Sequence, residues 1–217
     1  MAREKKAAKK APAGAKLEEY YQLVKGRVYR YDFQSPEWPY NNVMTIRAKN
    51  IKTAGGKTMA DIEESFPDPD DAPDNGLHVH EWKVERSATG VKERWPHEKV
   101  ENWVLRTPLE KGATWESNES KFKIASLTAK VEVPAGVYEN CLHVTYASEG
   151  IGTGELFYAK GVGMVRSSQR GEWVPYDYKL ESVSQERVSA ASAPAKTKAA
   201  AGSLRRMMVR KGQQGPV

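Results

Sequence analysis

His78 and His80 stand two residues apart in Leu77-His78-Val79-His80-Glu81-Trp82. On an extended strand such residues share a face, so two imidazoles could hold one metal ion. A working site needs a third ligand, which only His97, His143 or a carboxylate is left to supply. None is evident, so the pair reads as surface or hydrogen-bonding histidines and no metal is expected. Glu63, Glu64, Asp68, Asp70, Asp71 and Asp74, interrupted by Pro67, Pro69 and Pro73, offer many oxygen ligands. Their spacing is not that of an EF-hand, and proline stands where that loop requires glycine. The stretch reads as a solvated acidic loop.

Other chemistries find less support. Gly150-Ile151-Gly152-Thr153-Gly154 and Gly161-Val162-Gly163 have neither Rossmann nor Walker spacing, and neither leads into a helical pattern. They read as hairpin turns and bulges. Cys141, the single cysteine, excludes an internal disulfide and lies in the strand-like run Val137–Tyr146, where a small buried hydrophobe is expected. No G-x-S-x-G elbow marks a nucleophilic serine. The expectation is a non-enzymatic protein with no cofactor. Trp38, Trp82, Trp95, Trp103, Trp115 and Trp173, with ten tyrosines, either build a core or line a pocket for a small apolar ligand inside a curled sheet.

The elements that must position these residues are strands. Tyr29, Tyr31 and Phe33 alternate with polar residues, as do Met44, Ile46 and Ala48, then Trp103 and Leu105, then Leu142, Val144 and Tyr146, then Val174, Tyr176, Tyr178 and Leu180. Period two is the mark of half-buried antiparallel strands. Ala54-Gly55-Gly56-Lys57, Ala88-Thr89-Gly90, Pro134-Ala135-Gly136 and Gln169-Arg170-Gly171 separate them with turn chemistry. Between Phe122 and Val133 the apolar phase slips by one residue, which predicts a β-bulge and a bent strand. Leu17, Tyr20, Tyr21 and Val24 instead follow helical spacing, stopped by Gly26. The fold class is mainly β: nine or ten strands in one antiparallel curled sheet, partial barrel or sandwich, after a short N-terminal helix.

Charge divides the 217-residue chain into three. Residues 1–16 carry a net +5 and residues 187–217 a net +7, so the overall +6 leaves −6 on residues 17–186. Both ends are rich in Ala, Lys, Pro, Ser and Gly and lack aromatic residues, a composition that predicts disordered basic tails around one β-rich globular domain. The acidic domain is not the surface to grip a phosphate backbone. The expected function is therefore binding or scaffolding, with Lys5, Lys6, Lys9, Lys10 and the C-terminal basic residues contacting a polyanion such as nucleic acid or the ribosome. No run approaches the roughly 18 apolar residues that cross a bilayer, and residues 1–16 show no secretory pattern, so a cytoplasmic location is expected.

Three blocks carry a resemblance: Pro108-Leu109-Glu110-Lys111-Gly112-Ala113-Thr114-Trp115, then Val133-Pro134-Ala135-Gly136-Val137-Tyr138-Glu139-Asn140-Cys141, then Tyr158-Ala159-Lys160-Gly161-Val162-Gly163-Met164-Val165. In this order they resemble the TapB-like and DUF3108-like bacterial β-domains over roughly residues 20–183. The resemblance implies a β-domain, non-enzymatic and often envelope-associated, with no catalytic residues to carry over. A second, shorter resemblance lies in Gly202-Ser203-Leu204-Arg205-Arg206, which looks like the core of peptides that load cargo into encapsulin shells. It implies a protein docked through Leu204 and its flanking arginines.

Overall fold

The computed structural model describes residues 15–36, 38–67, 77–96, 98, 100–171 and 175–186. They form one single-turn helix, α1 (Leu17–Tyr20), and twelve strands. These are β1 (Arg27–Ser35), β2 (Trp38–Ala54), β3 (Lys57–Pro67), β4 (Leu77–Ser87), β5 (Gly90–Arg94) and β6 (Asn102–Arg106), followed by β7 (Thr114–Ser117), β8 (Ser120–Val133), β9 (Gly136–Ser148), β10 (Gly152–Ala159), β11 (Gly163–Arg170) and β12 (Tyr176–Gln185). The mainly β, antiparallel expectation holds. The strand number is higher than the nine or ten expected, because strands as short as β5 and β7 have too few residues to display an alternation.

All twelve strands lie in one sheet of order β6-β5-β4-β3-β2-β1-β12-β11-β10-β9-β8-β7. Except for β6 and β7, strands that are neighbours in sequence pair antiparallel, and β1 pairs with β12, from Arg27↔Gln185 to Gln34↔Asp177. The up-and-down sheet is thus nearly closed into a barrel, interrupted in mid-chain between β6 and β7. At that seam side chains stand in for the missing ladder. The Trp103 amide donates to Ser117 Oγ at 2.7 Å, and Trp115 Nε1–H donates to the Trp103 carbonyl at 3.2 Å.

Alternation sorts side chains between inside and outside. Tyr29, Tyr31 and Phe33 of β1 and Met44 and Ala48 of β2 are buried inward, as the period-two pattern requires. Ile62↔Trp82 and Glu64↔His80 carry the inner face across β3 and β4, and Val144↔Leu156 carries it across β9 and β10. On the outside, Glu63 is ion-paired to Arg47 and Lys49. Glu63 and Glu64 therefore do not belong to an acidic loop. They are consecutive strand residues and point to opposite faces.

Three further expectations are corrected by the same geometry. A register shift between Val91 and Lys92 puts Trp103 opposite Lys92 while Leu105 faces Val91, so Asn102 and Leu105, not Trp103 and Leu105, are the buried pair of β6. Trp103 lies instead beneath the Lys92 ammonium and the Arg106 guanidinium, at 4.6 and 4.9 Å. The helix stops at Tyr20, since Tyr21 is already extended (φ −113°, ψ 95°), and Gly26 serves the turn into β1. Val24 is consequently not on a helical face.

The phase slip at Phe122–Val133 is a set of register shifts at Ile124/Ser126, Ser126/Ala129 and Ala129/Val131. They bend the long β8–β9 hairpin. β11 and β12 pair only from Arg166↔Lys179 to Gln169↔Tyr176, and beyond that point the strands part. The hairpin tip reaches β12 there, where the Ala135 amide donates to the Leu180 carbonyl at 2.9 Å. The Tyr29 and Tyr31 hydroxyls span the same gap to the Val162 and Met164 carbonyls at 2.7 and 2.8 Å. A second buried cluster, including Val131, Val133, Cys141, Val165 and Leu180, fills this region.

Candidate ligand-binding cavity

One end of the barrel is stopped by residues 15–24. Leu17 and Tyr20 are buried against Trp115, Ile124 and Tyr158, and the Gly161 amide donates to the Glu19 carbonyl at 2.7 Å. Arg86 donates to the Tyr21 carbonyl at 2.8 Å, and the Tyr21 hydroxyl donates to Glu93 Oε1 at 3.2 Å. The extended Tyr21 thus reaches inside, which is why the helix yields after one turn.

Beyond this plug the interior is not filled. A cavity of about 390 Å³ remains, with Ile46, Ile62, Leu156 and Met164 on its apolar walls. Aromatic rings supply much of the rest, among them Tyr31, Phe33, Trp82, Trp95, Phe122 and Tyr178. Trp82 and Trp95 are stacked, centroids 4.4 Å apart and planes at 18°. Away from the plug the lining turns polar, through Ser117, Asn118, Ser120, Ser148 and Gln169. Trp82 and Trp115 both belong to the core cluster, and Trp82 and Trp95 also line this cavity.

Two polar groups face the cavity from opposite walls. On β3 and β4, His80 Nδ1 lies 3.4 Å from Glu64 Oε2, and the His80 ring meets Phe66 edge-on at 5.3 Å. On β9 to β12, Tyr146 lies flat against Gly154, where an added Cβ would stand 2.2 Å from the ring. The missing side chain lets the phenol cross β10, donate to Gln169 Oε1 at 3.2 Å and meet the Tyr176 hydroxyl at 3.3 Å. Gly154 was read as a turn glycine; its role is this close approach within a strand.

Burial pushes the phenols of Tyr21 and Tyr178 well above their usual range, with the Glu93 and Glu64 carboxylates, respectively, adding to the shift. Burial likewise raises the Cys141 thiol from 9.0 to about 11, so it is no nucleophile at neutral pH. A group whose pKa is raised by folding stabilises the protein fully below its unfolded value and loses that contribution as pH rises through the folded value. Stability should therefore hold to about pH 9 and then fall steeply through pH 11, as Cys141 and the buried tyrosines ionise preferentially in the unfolded chain. Urea unfolding at a series of alkaline pH values checks this; a midpoint that stays constant to pH 11 would contradict it.

Five buried side-chain polar atoms have no hydrogen-bond partner among the described residues: His80 Nε2, Trp82 Nε1, Asn102 Oδ1, His143 Nε2 and Gln169 Nε2. All but His143 belong to residues that line the cavity. Such groups are few in folded proteins and cost roughly 1–3 kcal/mol each. Four of the five therefore gather around one space.

The residues singled out earlier fall as follows. His80 is in the cavity, His78 meets Phe66 at a tilt with centroids 5.3 Å apart, and His143 lies against Phe157 at 4.2 Å. His97 lies outside the described residues, as do Asp68, Asp70, Asp71 and Asp74. Among the described residues no three His, Cys, Asp or Glu side chains come together as metal ligands. Lys5, Lys6, Lys9 and Lys10 and Gly202, Ser203, Leu204, Arg205 and Arg206 also lie outside them. No described helix is long and apolar enough to cross a membrane.

No family model and no curated protein matches the chain. The TapB-like and DUF3108-like assignment therefore rests on the sequence blocks alone. Two solved structures share the fold. One is a Bacteroides fragilis protein described as exported and YmcC-like in fold, at TM-score 0.55 and 14% identity over 76% of this chain and 99% of that one. The other is a Parabacteroides distasonis protein described as a lipoprotein, at TM-score 0.52 and 14% identity over 76% of this chain and 97% of that one. What these likenesses show is a shared β fold.

Proposed function

We propose that the chain is a non-enzymatic binding protein that holds a small, largely apolar molecule inside its barrel. The observation that carries this is the cavity of about 390 Å³ ringed by aromatic side chains and by most of the unpaired buried polar atoms. Small-molecule sites are of this size and composition, mostly apolar with a few placed polar groups. The plugged end makes the polar end the route of entry. Because the two structural neighbours are described as an exported protein and a lipoprotein, an envelope setting is the better working assumption than the cytoplasm. Polyanion contact and shell docking rest on residues outside the described ones, and nothing in the barrel favours either.

The test is calorimetric titration of the full chain with a neutral aromatic probe, 2-naphthylmethanol. One-to-one binding is expected. Leu156→Trp, which places an indole in the cavity wall, should weaken it at least about tenfold, since the probe's buried area is worth more than 1.4 kcal/mol. Undiminished affinity in a variant that retains the near-ultraviolet circular dichroism of a packed barrel would sink the cavity reading.

A further inference from the structure

We infer that the cavity selects neutral or cationic molecules and turns away carboxylates and other anions, an inference that rests on the ligand-binding reading above. Among the described residues the lining includes two carboxyl groups, Glu64 on β3 and Glu93 on β5, and neither a lysine nor an arginine. Two guanidinium groups meet the plug, Arg86 at the Tyr21 carbonyl and Arg27 at Gln22 Oε1 and the Gly161 carbonyl, and neither is part of the lining. The other polar groups of the lining are hydroxyls, amides, the indole N–H groups of three tryptophans and His80. His80 stands against the Glu64 carboxylate, 3.4 Å from Nδ1 to Oε2, and Glu93 lies apart from it on β5.

The aromatic walls act in the same direction. Ring faces carry negative electrostatic potential and attract cations. Trp82, Trp95 and Tyr178 surround the space into which Glu64 projects from β3. Anion sites need the opposite equipment: arginine forks, lysines or clustered backbone amides. An ammonium head group gains from Glu64 and Glu93, a hydroxyl is indifferent to their charge, and a carboxylate is repelled in a partly dehydrated space where charges are weakly screened.

Three probes sharing one ring system separate these cases: 2-naphthylmethylamine, 2-naphthylmethanol and 2-naphthoate, each titrated calorimetrically into the full chain at neutral pH. The amine is expected to bind tightest and the acid about tenfold or more weaker than the amine, the scale of one like-charge contact in a partly buried site. Glu64→Gln should narrow the amine-to-acid ratio by about threefold or more, the alcohol's affinity serving as the reference for any change common to all three probes. Melting temperature and circular dichroism confirm that the variant is folded, and Glu93→Gln provides a second, independent removal of charge. Acid binding as tight as amine binding overturns the charge selection alone. Failure of all three probes to bind removes the cavity reading and the selection with it.

Discussion

Tyr20→Ala lowers the unfolding free energy by about 3–5 kcal/mol, the range for deleting a buried aromatic side chain. Tyr20 is 1% exposed and belongs to the cluster of Leu109, Trp115, Ile124 and Tyr158 that stops one end of the barrel. Its removal leaves a void that the helix does not readily collapse into, because α1 is tied at Glu19 to the turn after β10. The Gly161 amide holds Glu19, and the Lys160 ammonium pairs with the Glu19 carboxylate at 3.3 Å. Tyr20→Phe retains the ring and should cost about 1 kcal/mol or less. Urea unfolding followed by tryptophan fluorescence distinguishes them. An alanine variant within 1 kcal/mol of the parent would mean that residues 15–24 rest on the barrel without bearing on its stability.

Gly90→Ala is the second large effect. Gly90 opens β5 at φ 146°, a conformation that side-chain-bearing residues rarely adopt. A Cβ there would stand 2.2 Å from the Leu105 carbonyl oxygen and 2.9 Å from the Trp103 ring. Backbone strain and overpacking each cost about 1–3 kcal/mol, and the clash is with backbone that cannot rotate away, so a loss of about 3 kcal/mol or more is expected. Gly55→Ala is the control. Its φ of 57° is also positive, but nothing lies within 4 Å of the added carbon, so a loss of about 1 kcal/mol is expected. Equal losses from the two substitutions would show that contact with β6 is irrelevant and strain alone matters. Because Gly90 brings β6 close, the damaged variant should also loosen the Trp103–Trp115 bridge at the seam.

Much of the barrel was legible in the sequence because its cause is local. Alternation at Tyr29-Tyr31-Phe33 and Leu142-Val144-Tyr146 sets which face is buried, whatever the partner strand. The bend in β8 was legible for the same reason: a slip of phase must appear as a bulge. The number of strands and the closure were not, since β5 and β7 are too short to show a period and β1–β12 pairing joins the two ends of the domain.

The cavity itself left a signal that alternation alone could have given. Glu64 sits between Ile62 and Phe66 on the inward phase of β3, and Glu93 sits two residues after the fully buried Val91. A carboxylate on a buried phase is costly without a purpose. Grouping Glu64 with the acidic residues that follow it hid that phase. Nothing local, in contrast, could reveal Tyr146 lying across Gly154, because that contact exists only once β9 and β10 are in register.

The mid-chain position of the seam bears on how the domain folds. Every hairpin from β1 to β6 and from β7 to β12 forms between neighbours in sequence, so two six-stranded meanders can assemble from local encounters. Only the pairing of β1 with β12 brings together residues as distant as Arg27 and Gln185. Closing so long a loop is entropically unfavourable and is rewarded only when the ladder zips, so barrel closure is the slow, late event, on the order of milliseconds to seconds for a β topology of high contact order. The segment between β6 and β7 is crossed by no strand ladder of its own. It is the point where the chain divides into two halves of equal strand number, each able to nucleate independently before the other is complete.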